Sequence, residues 1–252
     1  MNDLTIIIVS RNDEDVLPYA LSTCDGFGKV VVVDSSTSSK TEGICRKFKV
    51  KYVKNTFKDF ADQRNFGMYY ATTKWVLYLD SDEKLTENFK HEIASIIKNH
   101  EDSEVAGYYI RRKTFYYGRD WGFSDKVQRL FLRSKFIEWY GVVHETPKVK
   151  GSIAQVESPI LHFTHRNLSQ MVGKTNDWSI YEAKLRFSAN HPALEPWRFF
   201  RVMGSEFLSS YIKNKGYKNG TYGLIEAMYQ SFSIFITYAK LWEMQIQEGK
   251  KS

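Results

Sequence analysis

The sequence predicts an α/β protein: a mostly parallel, Rossmann-like sheet with helices on both faces, followed by a C-terminal helical extension. Three observations carry this expectation. Short apolar runs rich in β-branched and aromatic residues recur through the first eighty residues, helix-like segments separate them, and the periodicity changes near residue 105 and again near residue 168.

The strand candidates of the first half are LTIIIV (4–9), KVVVVD (29–34), VKYVK (50–54) and WVLYLD (75–80). They are apolar almost throughout, as strands buried on both faces must be. Between them DVLPYALSTC, KTEGICRKF and DFADQRNFGMYYA read as helices, so strand and helix alternate as in a parallel sheet. A further helix is expected from about Glu83, after the fourth run. Beyond residue 105, AGYYIRRKTFYYG and KVQRLFLR alternate apolar with polar and predict half-solvated antiparallel strands, with the basic residues of the first on a solvated face. From about residue 168 the pattern is helical to the end. The expected division is a catalytic α/β domain over 1–166 and a helical region over 167–252.

Composition narrows the function classes. The chain of 252 residues is 42% apolar, enough for a buried core, and carries a net charge of +7. A basic balance suits an anionic partner such as a nucleotide, a phospholipid surface or a nucleic acid. Cys24 and Cys45 are the only cysteines and have no metal-ligand spacing, so buried, idle thiols are expected. No run of about 18 uncharged apolar residues suggests a spanning helix, and LTIIIV is too short for a signal peptide. A cytoplasmic protein is expected, peripheral at most on the inner face of the cell membrane.

Open parallel sheets bind ligands at the carboxyl ends of their strands. Those ends carry Ser10-Arg11-Asn12-Asp13, Asp34-Ser35-Ser36 and Asp80-Ser81-Asp82-Glu83. An acidic edge on a basic protein calls for a cation. Asp80 and Asp82, two apart in an extended segment, could share one hard divalent ion; alternatively Asp82 or Ser81 caps the following helix. Asp34 could equally make an Asx turn.

Taken together, LTIIIVSRNDEDVL, VVVVDSSTSSKT, FADQRNFG and WVLYLDSDEKLT, in that order and at βαβ spacings, resemble the family 2 glycosyltransferases of GT-A fold, especially the branch with lipopolysaccharide-core β-glucosyltransferases. The resemblance continues through GYYIRRKTFYYGR, VQRLFLR, VHE and LHFTHRNLSQM into the tail.

The resemblance implies a metal-dependent, inverting transfer of a hexose from a nucleotide-sugar donor, expected to be UDP-linked, with Mn2+ or Mg2+ as cofactor. Ser10 and Asp34 match base-contacting positions, and Gln63, Arg64 and Asn65 match the lining of the nucleotide and donor-sugar pocket. Asp80 matches the ribose-facing aspartate, Asp82 the metal ligand, and His165 a late histidine of the metal or diphosphate site. Gln128 and Arg129 lie where donor or acceptor contacts are expected, and Glu145, after His144, where the base belongs. GRDWGFSDKVQRL lacks the acidic pair many members carry, which leaves Asp125 as the other candidate base. His162 reads as structural.

The expected acceptor is a cell-envelope saccharide or lipid-linked saccharide such as lipopolysaccharide core. A peptide side chain is the alternative acceptor, and a basic, non-enzymatic nucleotide- or nucleic-acid-binding module the alternative class; no nucleic-acid partner is expected of the enzyme. The apolar tail, 222–242, either packs on the catalytic domain or on a second copy in a homo-oligomer, or lies with the preceding basic segment on an anionic membrane.

Overall fold

The computed structural model describes residues 1–100, 104–141 and 145–249. The chain divides into two compact units: Met1–Phe115 with Gly122–Thr164, and Tyr116–Trp121 with His165 onward.

The first unit is built on an eight-stranded sheet. Its parallel part comprises β1 (Leu4–Ser10), β2 (Lys29–Asp34), β3 (Lys51–Lys54) and β4 (Trp75–Asp80), arranged β3-β2-β1-β4. Ile6 pairs with Val30 on one side and Leu77 on the other. Between these strands run α1 (Leu17–Cys24), α2 (Lys40–Lys47) and α3 (Phe60–Met68). The period-2 alternation of the strands serves two cores. Ile6, Ile8, Leu77 and Leu79 pack with Leu17 and Leu21 of α1 and Cys45 of α2. Ile7, Val31, Val33, Val76 and Tyr78 pack on the other face with Ala61 of α3. The helix α3 comes so close to the sheet that a Cβ on Gly67 would lie 2.5 Å from a methyl of Ile7.

After β4 the expected helix from Glu83 does not form. Glu83–Lys84 instead make a short strand, β5, pairing antiparallel with residues 161–162. The helix α4 starts at Glu87 and ends at Lys98, with Thr86 as its cap, accepting from Phe89 N at 3.2 Å. Thr86, rather than Asp82 or Ser81, therefore caps α4. The reason is local: Thr86 is extended and stands ahead of the apolar period formed by Phe89 and Ile93, both fully buried.

The remaining strands are β6 (Val105–Tyr116), β7 (Arg119–Leu132), β8 (Phe136–Tyr140), β9 (Thr146–Val149) and β10 (Ser152–Thr164). Sheet order continues from β4 as β7-β6-β10-β5, with β7 antiparallel to β4, while β8 and β9 form a separate two-stranded ribbon.

In the second unit α5 (Leu168–Ser188), α6 (Pro196–Leu208) and α7 (Gly220–Gln247) pack together. Asn167 caps α5, accepting from Gln170 N at 2.9 Å. Ala183, Leu194 and Leu241 form its small core. The first turn of α7 rests on the preceding segment because Gly223 has no side chain: a Cβ there would stand 1.8 Å from Gly216 O.

Candidate active site

The carboxyl ends of the parallel strands bring together a network of carboxylates and guanidinium groups. Asp80 closes β4. Its Oδ1 accepts from Arg64 Nη2 at 2.7 Å and its Oδ2 from Arg129 Nη2 at 2.6 Å, with Arg112 Nη1 at 4.0 Å. Arg64 reaches this point from α3, Arg129 and Arg112 from β7 and β6. Burial alone would raise the Asp80 carboxyl, but Arg129, Arg64 and Arg112 outweigh it and hold it well below the ordinary carboxylate range.

Glu83, fully buried, accepts from Asp80 N at 2.8 Å through Oε2 and from Arg112 Nη1 at 3.4 Å through Oε1. Burial, and then the Asp80 charge, push its carboxyl upward, against the pull of Arg129 and Arg112. Arg64 also holds Glu145, with Nε donating to Oε1 at 3.1 Å. The two candidate bases are thus held differently. Asp125 is gripped by both Nε and Nη2 of Arg112, at 3.0 and 2.6 Å, whereas Glu145 accepts one bond and keeps Oε2 outside the Arg64 contact. His144, before it, lies outside the described residues.

Asp82 takes a different partner from Asp80. Its Oδ2 faces His162 Nε2 at 3.5 Å, and its carbonyl accepts from Phe163 N at 2.9 Å. β4 ends at Asp80, and the turn at Ser81 breaks the period of two, so the two side chains take different partners. Ser81 Oγ donates to Asp13 Oδ2 at 2.6 Å, which ties that turn to the loop after β1.

The nucleotide-side candidates occupy the neighbouring strand ends. Asp34 is fully buried and saturated: Oδ1 accepts from Ser36 N at 3.0 Å and from Ser36 Oγ, and Oδ2 from Tyr52 and Lys54, each at 3.1 Å. The Ser36 contact is the Asx turn weighed from sequence. Ser10 Oγ and Gln63 Oε1 are buried without a hydrogen-bond partner, as are Nη1 of Arg64 and of Arg129. Gln63 donates to Thr56 O at 3.0 Å. Asn65 spends its amide on Trp139, donating to its carbonyl and accepting from its N–H, both at 2.8 Å, and so pins α3 to β8. Gln128 donates to the hydroxyl of Tyr109 at 2.7 Å. Nearby, the Arg11 guanidinium lies over the Phe57 ring at 4.1 Å.

His165 belongs to the second unit. Its Nδ1 stands 3.0 Å from both oxygens of the buried Glu226, its ring stacks on Tyr116, and its backbone is left-handed with φ 47°. A carboxylate on Nδ1 fixes the tautomer whose Nε2 carries the lone pair, the form an imidazole ligand needs.

Among the described residues, no three His, Cys, Asp or Glu side chains stand close enough to hold an ion by themselves. The residues present fit a hard divalent ion bound through one carboxylate and otherwise by phosphate oxygens and water, which is how Mg2+ is commonly held. Asp82, whose Oδ2 faces His162, is the candidate carboxylate, since both oxygens of Asp80 are taken by guanidinium groups.

Sequence reasoning missed Arg112 and Glu83. Arg112 was assigned to a solvated face, yet it is partly buried and joins Asp125, Glu83 and Asp80. Counting by two from the buried Ile110 would have placed it inward, with Thr114. Glu83 carried no sequence signal beyond its place after the aspartates. A cavity of about 540 Å³, lined by Thr5, Lys29 and Lys51 among others, opens at the opposite ends of these strands and takes no part in the network.

Buried arginines with partnerless Nη1 groups stand beside carboxylates at the edge of a parallel sheet where α/β proteins bind ligands. The chain belongs to the glycosyl transferase family 2, whose family model matches residues 5–155. It is 22% identical to the lipopolysaccharide core biosynthesis glycosyltransferase LpsC of Rhizobium meliloti over 95% of this chain and 92% of that protein. An uncharacterized glycosyltransferase of Rickettsia typhi is 22% identical over 98% and 89% of the two chains. Among solved structures, Staphylococcus aureus TarS in complex with UDP-GlcNAc superposes with a TM-score of 0.48 at 12% identity, covering 98% of this chain and 92% of that one. The α/β sheet followed by a helical region matches the architecture that the resemblance implied.

Proposed function

We propose that this protein transfers a hexose from a UDP-linked donor, with inversion, to a saccharide or lipid-linked saccharide of the cell envelope. The observation that carries this reading is the Asp80–Arg64–Glu145 chain: one buried guanidinium positions a nucleotide-side carboxylate and a candidate base from a single point. LpsC, similar along nearly its whole length, supports a lipopolysaccharide-core acceptor.

In this reading Asp80, fixed by Arg64 and Arg129, accepts from the ribose, and the partnerless Nη1 groups of those arginines face incoming anionic oxygens. Ser10 and Asp34 border the base, and Gln63 the donor pocket. Asp82 would hold Mn2+ or Mg2+. The ion, when bound, would supply Lewis-acid neutralisation of the departing diphosphate. Glu145 takes the proton from the acceptor hydroxyl as that oxygen attacks the anomeric carbon opposite the leaving group. Arg64, donating through Nε to Oε1, orients Glu145 for this step.

The test is a donor screen that reads nucleotide release with and without manganese, using a truncated envelope saccharide as acceptor. Metal-dependent UDP release that rises with acceptor supports the reading. Release of another nucleotide, or none across the donors, refutes the donor assignment.

A further inference from the structure

The helical unit presents an apolar face that its own packing does not cover. The helices α6 and α7 run antiparallel: Phe199 meets Phe235, Met203 O accepts from Ser231 Oγ at 2.8 Å, and Leu194 bonds Gln245, so partners fall in number on one helix as they rise on the other. At 100° per residue, Trp197, Phe200 and Leu208 share one stripe of α6 with Gly204, turned away from the Phe199–Met203 contact line. On α7, Ile225, Met228 and Phe232 share another, turned in the same sense from Ser231. In antiparallel helices, rotations of the same sense emerge on the same side, so the two stripes form one face, roughly 20 Å long from the 1.5 Å rise of a 13-residue helix. Phe200 is 79% exposed and Met228 59%.

The charge around this face has one sign. Between Pro196 and Ile225 stand five basic residues, Arg198, Arg201, Lys213, Lys215 and Lys218, against one acidic residue, Glu206. Glu206 lies on the opposite side of α6 from Trp197 by the same count of 100° per residue. The guanidinium groups of Arg198 and Arg201 both lie over the Trp197 ring, at 5.3 and 5.5 Å. The lysines cluster in the connection between the helices. No described helix is long and apolar enough to cross a membrane.

We propose that the α6–α7 hairpin is a docking surface for an anionic lipid bilayer, on which it lies with its apolar face buried among the acyl chains. An aromatic and aliphatic stripe bordered by cations on long side chains is the composition of an interfacial helix. Trp197 between two arginines is suited to headgroup depth. A second copy packed face to face would set these cations against its own, an opposition that an anionic bilayer avoids.

Full-length protein is co-sedimented with phosphatidylcholine vesicles and with vesicles in which one third of the lipid is phosphatidylglycerol. Binding to the anionic vesicles alone, weakened by salt, is expected. Phe200→Ser with Met228→Ser should lower it more than about tenfold, and Lys215→Glu with Lys218→Glu by about fivefold or more per lysine, with thermal melting unchanged because all four side chains are exposed. Either variant pair alone decides the matter should the other fail to fold. Equal binding to both vesicle types, no binding, or a concentration-dependent dimer dissolved by the Phe200 and Met228 changes without vesicle binding would overturn the proposal.

Discussion

Arg64 donates through Nε to Glu145 Oε1 at 3.1 Å while its Nη2 donates to Asp80 Oδ1 at 2.7 Å. A side chain from a helix on one face of the sheet thus joins the end of β4 to the segment before β9, residues 65 positions apart in sequence. Burial disfavours the Arg64 charge, but Asp80 and Glu145 more than compensate, so the guanidinium stays charged.

If Glu145 takes the acceptor proton, Glu145→Gln should lower turnover by about 10²–10⁴-fold while donor affinity holds. The amide oxygen still accepts from Arg64, and Arg64 keeps Asp80, so the melting temperature should barely move. Asp125→Asn is the comparison. An Asp125 variant that loses turnover while the Glu145 variant keeps it would move the base to the β7 strand, despite the double grip of Arg112.

Asp80→Asn leaves Arg64 and Arg129 buried with a neutral partner, and a loss of about 3 kcal/mol in urea unfolding is expected. The Asp80 carboxyl is depressed in the folded state, so its contribution is present above the ordinary carboxylate value of about 3.9 and fades as pH falls below it. The gap in stability between wild type and variant should therefore be constant at neutral pH and shrink on acidification. A gap that widened in acid would contradict the arginine assignment.

Asp82→Asn should abolish manganese-dependent donor binding in titration calorimetry while α4 keeps its cap, Thr86, so that any loss of stability reflects only the weakened His162 contact. Thr86→Ala provides the contrast: a loss of about 1 kcal/mol with donor binding retained. The reverse pattern would return Asp82 to a structural role.

Burial pushes the Cys24 and Cys45 thiols up to about 12. Native protein at pH 8 should resist iodoacetamide at both positions, and denatured protein should react at both. Their raised values also mean that the stability they lend is complete below the unfolded thiol value near 9 and is lost as pH climbs from there toward 12. Rapid native alkylation would show that α1 or α2 opens locally.

The parallel strands were legible because burial on both faces leaves no choice but continuous apolar runs: Ile6, Ile7 and Ile8 feed two cores in alternation. The strand-end aspartates were legible for the same reason, since polar residues begin where the apolar runs stop. The helix expected at Glu83 was misread because acidic residues suit a helix start as well as they suit a buried ion network, and only pairing with β10 decided between them. What the sequence by itself determined is local: strand and helix periods, the polar edge, and the family motifs. Only the tertiary structure decided the partners. Arg64, Arg112 and Arg129 lie on three elements separated by up to 65 positions, and which carboxylate each one neutralises depends on strand order, which no local period encodes. Asp80 and Asp82 show this most directly: two residues apart in the chain, they are sent to different partners, arginines and His162, by a turn that hydrogen-bonds to a loop nearly 70 residues earlier.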